Sequence, residues 1–270
     1  MAMTLHPLRT KILVEGDDLV SVIIEESEKQ NIPLEDGDVI VIASKAVARV
    51  EGRMTKLENV KPSEKAHRIA KKTELEPEFV ELVIRESEVI YGGVFRALLT
   101  LKNNVLQANA GIDSSNVPEG CAILLPENST KSAHRIRNEI HQKTGRRVGV
   151  IIADSRTQPL RLGTTGFALG VAGIKPVIDE RGRKDIYGKP LRITRKAVAD
   201  NLACAAEILM GEGNEQTPVV IIKGAPTETT EEYVDESQMI IPREECMYFG
   251  TLFKQATAIK KVSYTASQRD

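Results

Sequence analysis

Three short runs of almost unbroken branched apolar residues constrain this chain most: Val39-Ile40-Val41-Ile42-Ala43, Val148-Gly149-Val150-Ile151-Ile152-Ala153, and Pro218 to Ile222. A run apolar at every position, rather than at alternate ones, reads as a strand buried on both faces. Between these runs lie segments with helical spacing, so the expected architecture is mixed α/β. Gly16-Asp17-Asp18 places an aspartate to cap a helix beginning at Leu19, and Asp36-Gly37 turns the chain into the first strand. Polar helices are expected from Pro62-Ser63-Glu64 to about Lys72 and from Glu78 to about Glu86. Asn103-Asn104 between Leu98–Leu101 and Val105–Ala108 signals a hairpin. Ala122–Leu125 is a further short strand, and Lys131–Lys143 a helix closed by Gly145.

The second half is rich in small residues. Asp154 and Ser155 are expected at the end of the second apolar strand, where α/β proteins place ligands, or at a helix N-cap. Gly163, Gly166, Gly170 and Gly173 imply close backbone approach, either in a loop facing a ligand or in tight packing. A long Ala-rich helix is expected over Thr194–Met210, and an apolar helix over about Glu245–Lys260. No internal repeat or low-complexity segment is present.

At 270 residues the chain has room for one large or two modest domains. Its 37 basic and 38 acidic residues leave a net charge of -1, which gives no footprint for nucleic acid or a membrane surface. The local cluster Arg135, Arg137, Arg146 and Arg147 reads as a solvated helix face and turn. Cys121, Cys204 and Cys246 lack CxxC spacing and read as reduced thiols. No apolar run reaches the roughly 18 residues of a membrane span, and the N-terminus has no signal-peptide character. The expected location is the cytoplasm.

Several chemistries lose support at once. There is no GxxxxGK[ST] or GxGxxG; Gly182 through Gly188-Lys189 has one residue too many and is followed by Pro190. There is no GxSxG elbow, and His6, His67, His134 and His141 have no zinc-site spacing. What remains is oxygen chemistry. Asn109-Ala110-Gly111-Ile112-Asp113-Ser114-Ser115-Asn116 is a polar loop after a strand, and Asp113 suits either an Asx-turn or a metal. Met210-Gly211-Glu212-Gly213-Asn214-Glu215-Gln216-Thr217 follows the long helix, where Gly211 also suits a plain C-cap. Asp113, Asp154, Ser155 and Glu212 are hard donors of the kind Mg²⁺ or Mn²⁺ takes together with substrate phosphates.

At these loops the sequence resembles the coenzyme F-420-0:L-glutamate ligase family of γ-glutamyl ligases. The resemblance runs from Gly16-Asp17-Asp18-Leu19 to about Gly224. It is strongest at Glu35–Val39, Asn109–Asn116, Arg146–Ile152, Gly182–Gly188, and Val198-Ala199-Asp200 on to Gly213. It implies a family-specific mixed α/β fold, an intertwined homodimer, and GTP with two Mg²⁺ or Mn²⁺ ions. A monovalent cation such as K⁺ is a further expectation. By position, Asp113 and Asp154 would hold one metal, and Ser155 and Glu212 the other. Nucleotide contacts would fall on Thr10, Lys11, Ile12 and Leu13, on Ser44, Lys45, Arg49 and Asn116, and on the Met210–Thr217 loop. The catalytic region is expected over 1–226, with 227–270 as an extension packed on it, and no second, reductase-like activity is expected.

One departure bears on the acceptor. Where deazaflavin ligases commonly carry an aromatic residue before an arginine, this chain has Leu160-Arg161, as in a side branch of the family proposed to glutamylate folates. Lys45, Arg49 and Arg161 are candidates for holding the triphosphate or an acidic acceptor. The partners expected are therefore L-glutamate and either F-420-0 or a folate. Tyr91, Phe167 and Tyr187 suit stacking on such an acceptor or a structural role, whereas Leu202, Ala206, Leu209 and Met210 read as core. A metal-dependent nucleotide hydrolase and a nucleotide-binding regulatory module are the competing classes.

Overall fold

The computed structural model describes residues 2–253. In chain order its elements begin with β1 (Thr4–Leu8), α1 (Leu19–Lys29), β2 (Val39–Ala43), α2 (Ser44–Val50), β3 (Met54–Lys56), α3 (Glu64–Thr73) and α4 (Pro77–Glu86). There follow β4 (Val89–Val94), β5 (Ala97–Lys102), β6 (Val105–Ala108), β7 (Cys121–Ile123), α5 (Ser129–Thr144), β8 (Gly149–Thr157) and β9 (Thr164–Ala172). The remainder are β10 (Val177–Asp179), β11 (Arg195–Ala197), α6 (Val198–Met210) and β12 (Val219–Lys223). The chain divides into one unit over Met1–Gln238 and a second over Met239–Asp270.

In the first unit the three apolar runs are the middle of a five-stranded sheet ordered β1-β12-β2-β8-β9. Only β2 and β8 run parallel within it, Val39 to Ala43 pairing with Gly149 to Ala153. Alternation then decides what each face carries. Ile40, Ile42, Val150, Ile152, Val219 and Ile221 share a core with Leu19, Val20 and Ile23 of α1 and Ala133, Ile136 and Ile140 of α5. Each such fully buried side chain contributes about 1.5–3 kcal/mol. The other face is covered by α6, which packs along β9, β8, β2, β12 and β1.

A second core sits under the β4-β5-β6 sheet, where Phe79, Val80, Leu82 and Val83 of α4 meet Ala66 and Ala70 of α3, Leu98, and Ala122 beside β3. Local rules explain the ends. Asp18 caps α1 through the Ser21 amide, Ser63 caps α3 through Ala66, and Gly145 closes α5 in the left-handed region at φ 73. Asn103 and Asn104 both take positive φ, as the two-residue hairpin requires.

Three expectations need correction. β8 does not end at Ala153: it continues through Asp154 and Ser155 to Thr157, because β9 extends the ladder (Asp154 with Phe167, Ser155 with Gly166). Asp154 is thus neither terminal nor a helix cap. The glycine-punctuated segment is β9 itself, so of its two readings the tight packing holds and the ligand-facing loop does not. Partners jump from Gly170 to Ala168, so Leu169 is an inserted residue, a bulge. The bulge reverses the alternation: a Cβ on Gly166 would meet Ala203 of α6, whereas one on Gly170 would meet Ser129 of α5. Finally, the long helix starts at Val198, since Arg195–Ala197 pairs with β10 instead.

In the second unit a helical turn spans Phe249–Phe253. The rest of the helix expected to Lys260 lies outside the described residues. Among the described residues, no helix is long and apolar enough to cross a membrane.

Candidate active site

A cavity of about 550 Å³ opens beyond the carboxyl end of β2 and beside residues 153–155 of β8. Six separated stretches of chain wall it, Gly166 of β9 being one. Thr10, Lys11, Ile12 and Leu13 come from the segment between β1 and α1, and Ser44, Lys45 and Arg49 from α2, which follows β2 without a break. Asn116 comes from the loop after β6, Asp154 and Ser155 from β8, and Met210, Gly211, Glu212, Gly213, Asn214, Gln216 and Thr217 from the loop after α6.

These stretches are tied to one another. The Arg49 side chain donates from Nε to the Leu13 carbonyl at 2.9 Å and from Nη1 to the Asn116 carbonyl at 3.3 Å. The Thr10 amide donates to the Gln216 carbonyl at 3.1 Å, and Asn116 Nδ2 to the Glu212 carbonyl at 3.4 Å. Thr217 Oγ1 donates to the Leu209 and Met210 carbonyls at 3.0 and 3.1 Å, satisfying the end of α6. Gly211 does serve as the C-cap of α6, its N–H reaching the Glu207 carbonyl.

Asp113 stands behind Lys45 rather than in the wall. Its backbone exchanges hydrogen bonds with Ile123 of β7, which pins the loop, and its carboxylate accepts from the Ser115 amide and hydroxyl, each at 2.8 Å. The Asx-turn is therefore real, and the same carboxylate also forms a short ion pair with Lys45. Lys45 Nζ in addition donates to Ser115 Oγ at 2.8 Å. Burial works against ionisation of Asp113, but Lys45 and Ser115 outweigh it and hold its pKa below the ordinary value.

Asp154 behaves in the opposite way. Burial pushes its carboxyl up to about 7, with the negative charge of Asp113 adding to the effect. The Ser155 amide, the Lys45 charge and the Ser44 hydroxyl only partly compensate. Two neighbouring carboxylates thus share one ammonium, an arrangement short of positive charge.

Neighbouring strand residues point to opposite faces. Asp154 accordingly faces α2, while Ser155, directly opposite Gly166, faces α6. On that side Glu212 accepts from Thr164 Oγ1 at 3.2 Å, and Glu207 of α6 also lines the cavity. Burial, and then the charge of Glu212, raise the Glu207 pKa. Glu207 was not among the residues singled out from sequence, because one acid on an Ala-rich helix carries no signal of its own.

Besides Asp113, two further expected residues lie outside the wall. Glu215 turns back on its own loop, accepting from the Gly213 amide at 2.9 Å. Arg161 stands on the exposed turn between β8 and β9. The proposed stacking residues divide as well: Phe167 is buried beneath the Arg156 guanidinium, 4.9 Å from its centroid, and Tyr187 is exposed on the β10–β11 connection.

The donors fit hard cations. All are carboxylate or hydroxyl oxygens, and one buried oxygen, Glu207 Oε1, has no partner. Among the described residues no three of the His, Cys, Asp and Glu side chains converge as a closed metal cage. Oxygens lie on both faces of β8, Asp113 and Asp154 on one and Ser155, Glu207 and Glu212 on the other, a layout suited to ions whose coordination is completed by a substrate.

The chain is similar to known proteins over most of its length. Residues 7–224 match the family model described as F420-0:Gamma-glutamyl ligase. The coenzyme F420:L-glutamate ligase of Methanothermobacter thermautotrophicus is 43% identical over 212 residues, 78% of this chain and 84% of that protein. The enzymes of the same name from Archaeoglobus fulgidus and Methanopyrus kandleri are 41% and 40% identical, over 79% and 82% of this chain and 84% and 86% of theirs. Every cavity-lining segment lies inside the matched region, and the chain belongs to the F420-0:gamma-glutamyl ligase family.

Proposed function

We propose that this protein is a GTP- and divalent-cation-dependent ligase that joins the amine of L-glutamate to a carboxylate of F420-0, working in the cytoplasm as a homodimer. The observation that carries this reading is the single cavity in which a run of polar backbone, two cationic side chains of α2 and acidic oxygens on both faces of β8 come together. Family membership supplies the acceptor and the amino acid.

A carboxylate is a poor acylating agent near neutral pH, so it must be activated before an amine can take it. In the reaction proposed, an oxygen of the acceptor carboxylate bonds to the γ-phosphorus of GTP and GDP leaves, giving an acyl phosphate. The glutamate nitrogen then bonds to the acyl carbon, phosphate leaves, and the amine loses a proton. The 10–13 and 210–217 segments cradle the nucleotide, held in register by the Arg49 bridge between Leu13 and Asn116. Lys45 and Arg49 neutralise phosphate charge, and Arg161, exposed on its turn, receives the acidic acceptor. Asp113 and Asp154 would hold one Mg²⁺ or Mn²⁺ ion, and Ser155 and Glu212 a second, which would offset charge on the transferring phosphoryl group.

The test is direct. The protein is incubated with GTP, Mn²⁺, L-glutamate and either F420-0 or a reduced folate, and product masses, GDP and phosphate are measured. The reading expects one glutamyl unit added to F420-0, with GDP and phosphate formed only when glutamate is present. Phosphate release without glutamate would make it a hydrolase, and binding without turnover a regulatory module. Addition to the folate alone would move the acceptor to that class.

A further inference from the structure

We propose that Glu207 is a further ligand on the α6 side of the site, binding through Oε1 the same cation as Ser155 and Glu212. The inference rests on the cation-dependent reading above and adds a residue to it.

Three observations converge on Glu207. Its Oε1 is buried in the cavity wall with no hydrogen-bond partner. The Gly166 amide and the Thr164 hydroxyl act on this carboxyl, but Oε1 itself has lost its water with no donor in return, which marks a place for something positive. Second, its neighbour is another acid: Glu207 and Glu212 lie close enough for a side-chain hydrogen bond. Both stand at the carboxyl end of α6, where the helix dipole adds negative potential and opposes carboxylates. Third, the surroundings hold Glu207 at Ser155. Gly166 lies directly opposite Ser155 in the β8–β9 ladder. It packs so tightly on α6 that a Cβ there would come within 2.5 Å of the Ala203 carbonyl oxygen, and Ala203 is one helical turn before Glu207. The absent side chain of Gly166 lets the helix approach the strand here, close enough for the Gly166 amide to act on the Glu207 carboxyl across the ladder from Ser155.

Mn²⁺ alone is titrated into the full-length protein, and free Mn²⁺ is counted by its EPR signal. Wild type is expected to bind two ions per chain. Glu207→Gln keeps the shape and removes the charge; it should lose one ion, or weaken it tenfold or more, and retain the other. Glu207→Asp, which keeps the charge on a shorter arm and guards against a folding defect in the first variant, should weaken the same ion less. Asp113→Asn should remove the other ion. Wild-type stoichiometry and affinity in both Glu207 variants would overturn the assignment and leave Glu207 merely sharing a proton with Glu212. Failure of wild type to bind any Mn²⁺ would overturn the cation-dependent reading itself, and this assignment with it.

Discussion

Gly166→Ala offers a sharp perturbation because its cost is fixed by backbone atoms. A Cβ at Gly166 would lie 2.5 Å from the Ala203 oxygen, 2.6 Å from its carbonyl carbon and 2.8 Å from the Cys204 nitrogen. None of these atoms can rotate away, so α6 must retreat from β9 by several tenths of an ångström. Forcing a methyl group into so tight a contact costs about 2–3 kcal/mol. For a chain of this size that is a fall in melting temperature of about 5–10 °C. The retreat also carries Glu207 and the 210–217 loop away from Ser155, so turnover should fall about 10–100-fold beyond any loss of folded protein.

Two companion variants separate these effects. A Cβ at Gly170 would come within 2.3 Å of the Ser129 oxygen, on the α5 face away from the cavity, so Gly170→Ala should destabilise equally with far less loss of turnover. At Gly163 nothing lies within 4 Å, but φ is +92°, so Gly163→Ala should cost only about 1 kcal/mol of backbone strain. Thermal melts and steady-state kinetics on the three variants decide the matter. If Gly166→Ala melts and turns over like wild type, β9 and α6 are not in the contact described.

Lys45→Met removes the ammonium shared by Asp113 and Asp154. Mn²⁺ should then bind more tightly without nucleotide while GTP-dependent turnover falls about 10²–10³-fold, and weaker Mn²⁺ binding would refute the competition. For Asp154, the folded pKa of about 7 lies above the unfolded value of 3.8, so the folded state holds its proton longer. The resulting stability is present below pH 3.8 and lost as pH rises towards 7. Asp154→Asn should therefore be inactive yet more stable at pH 8 without divalent cations, by about 4 kcal/mol at most, and urea melts should show a gain at pH 8 well above the one already present at pH 5, with none near pH 3. Lys223→Met leaves the buried Asp38 carboxylate without its 3.1 Å ammonium partner and should cost about 2–4 kcal/mol, with kcat unchanged in the folded fraction.

Features whose cause is local were readable in the sequence. The aspartate cap before Leu19, the helix opening at Pro62-Ser63-Glu64, the Asn103-Asn104 turn and the apolar strands each depend on residues a few positions apart, and they form where expected. What escaped depends on distant partners. Asp154 and Ser155 stay in the ladder only because β9 lies beside them, and β9, with its scattered glycines and threonines, has no strand signature of its own. The ion pair of Lys45 and Asp113 joins residues far apart in sequence, so neither side chain hints at the other. Most of the expected site residues do meet around one cavity, which composition and spacing did not establish. Glu207 shows its orphaned oxygen only once the helix is packed.

The extra residue at Leu169 has a consequence for how this chain tolerates length changes. Because of it, one continuous strand offers its bare backbone to α6 at Gly166 and to α5 at Gly170, on opposite sides of the sheet. The count of residues between those two glycines is therefore a fixed spacer. Deleting Leu169 would turn half of β9 over and drive side chains into a helix, whereas the exposed turn at 158–163 can be lengthened or shortened without changing which way any β9 residue points.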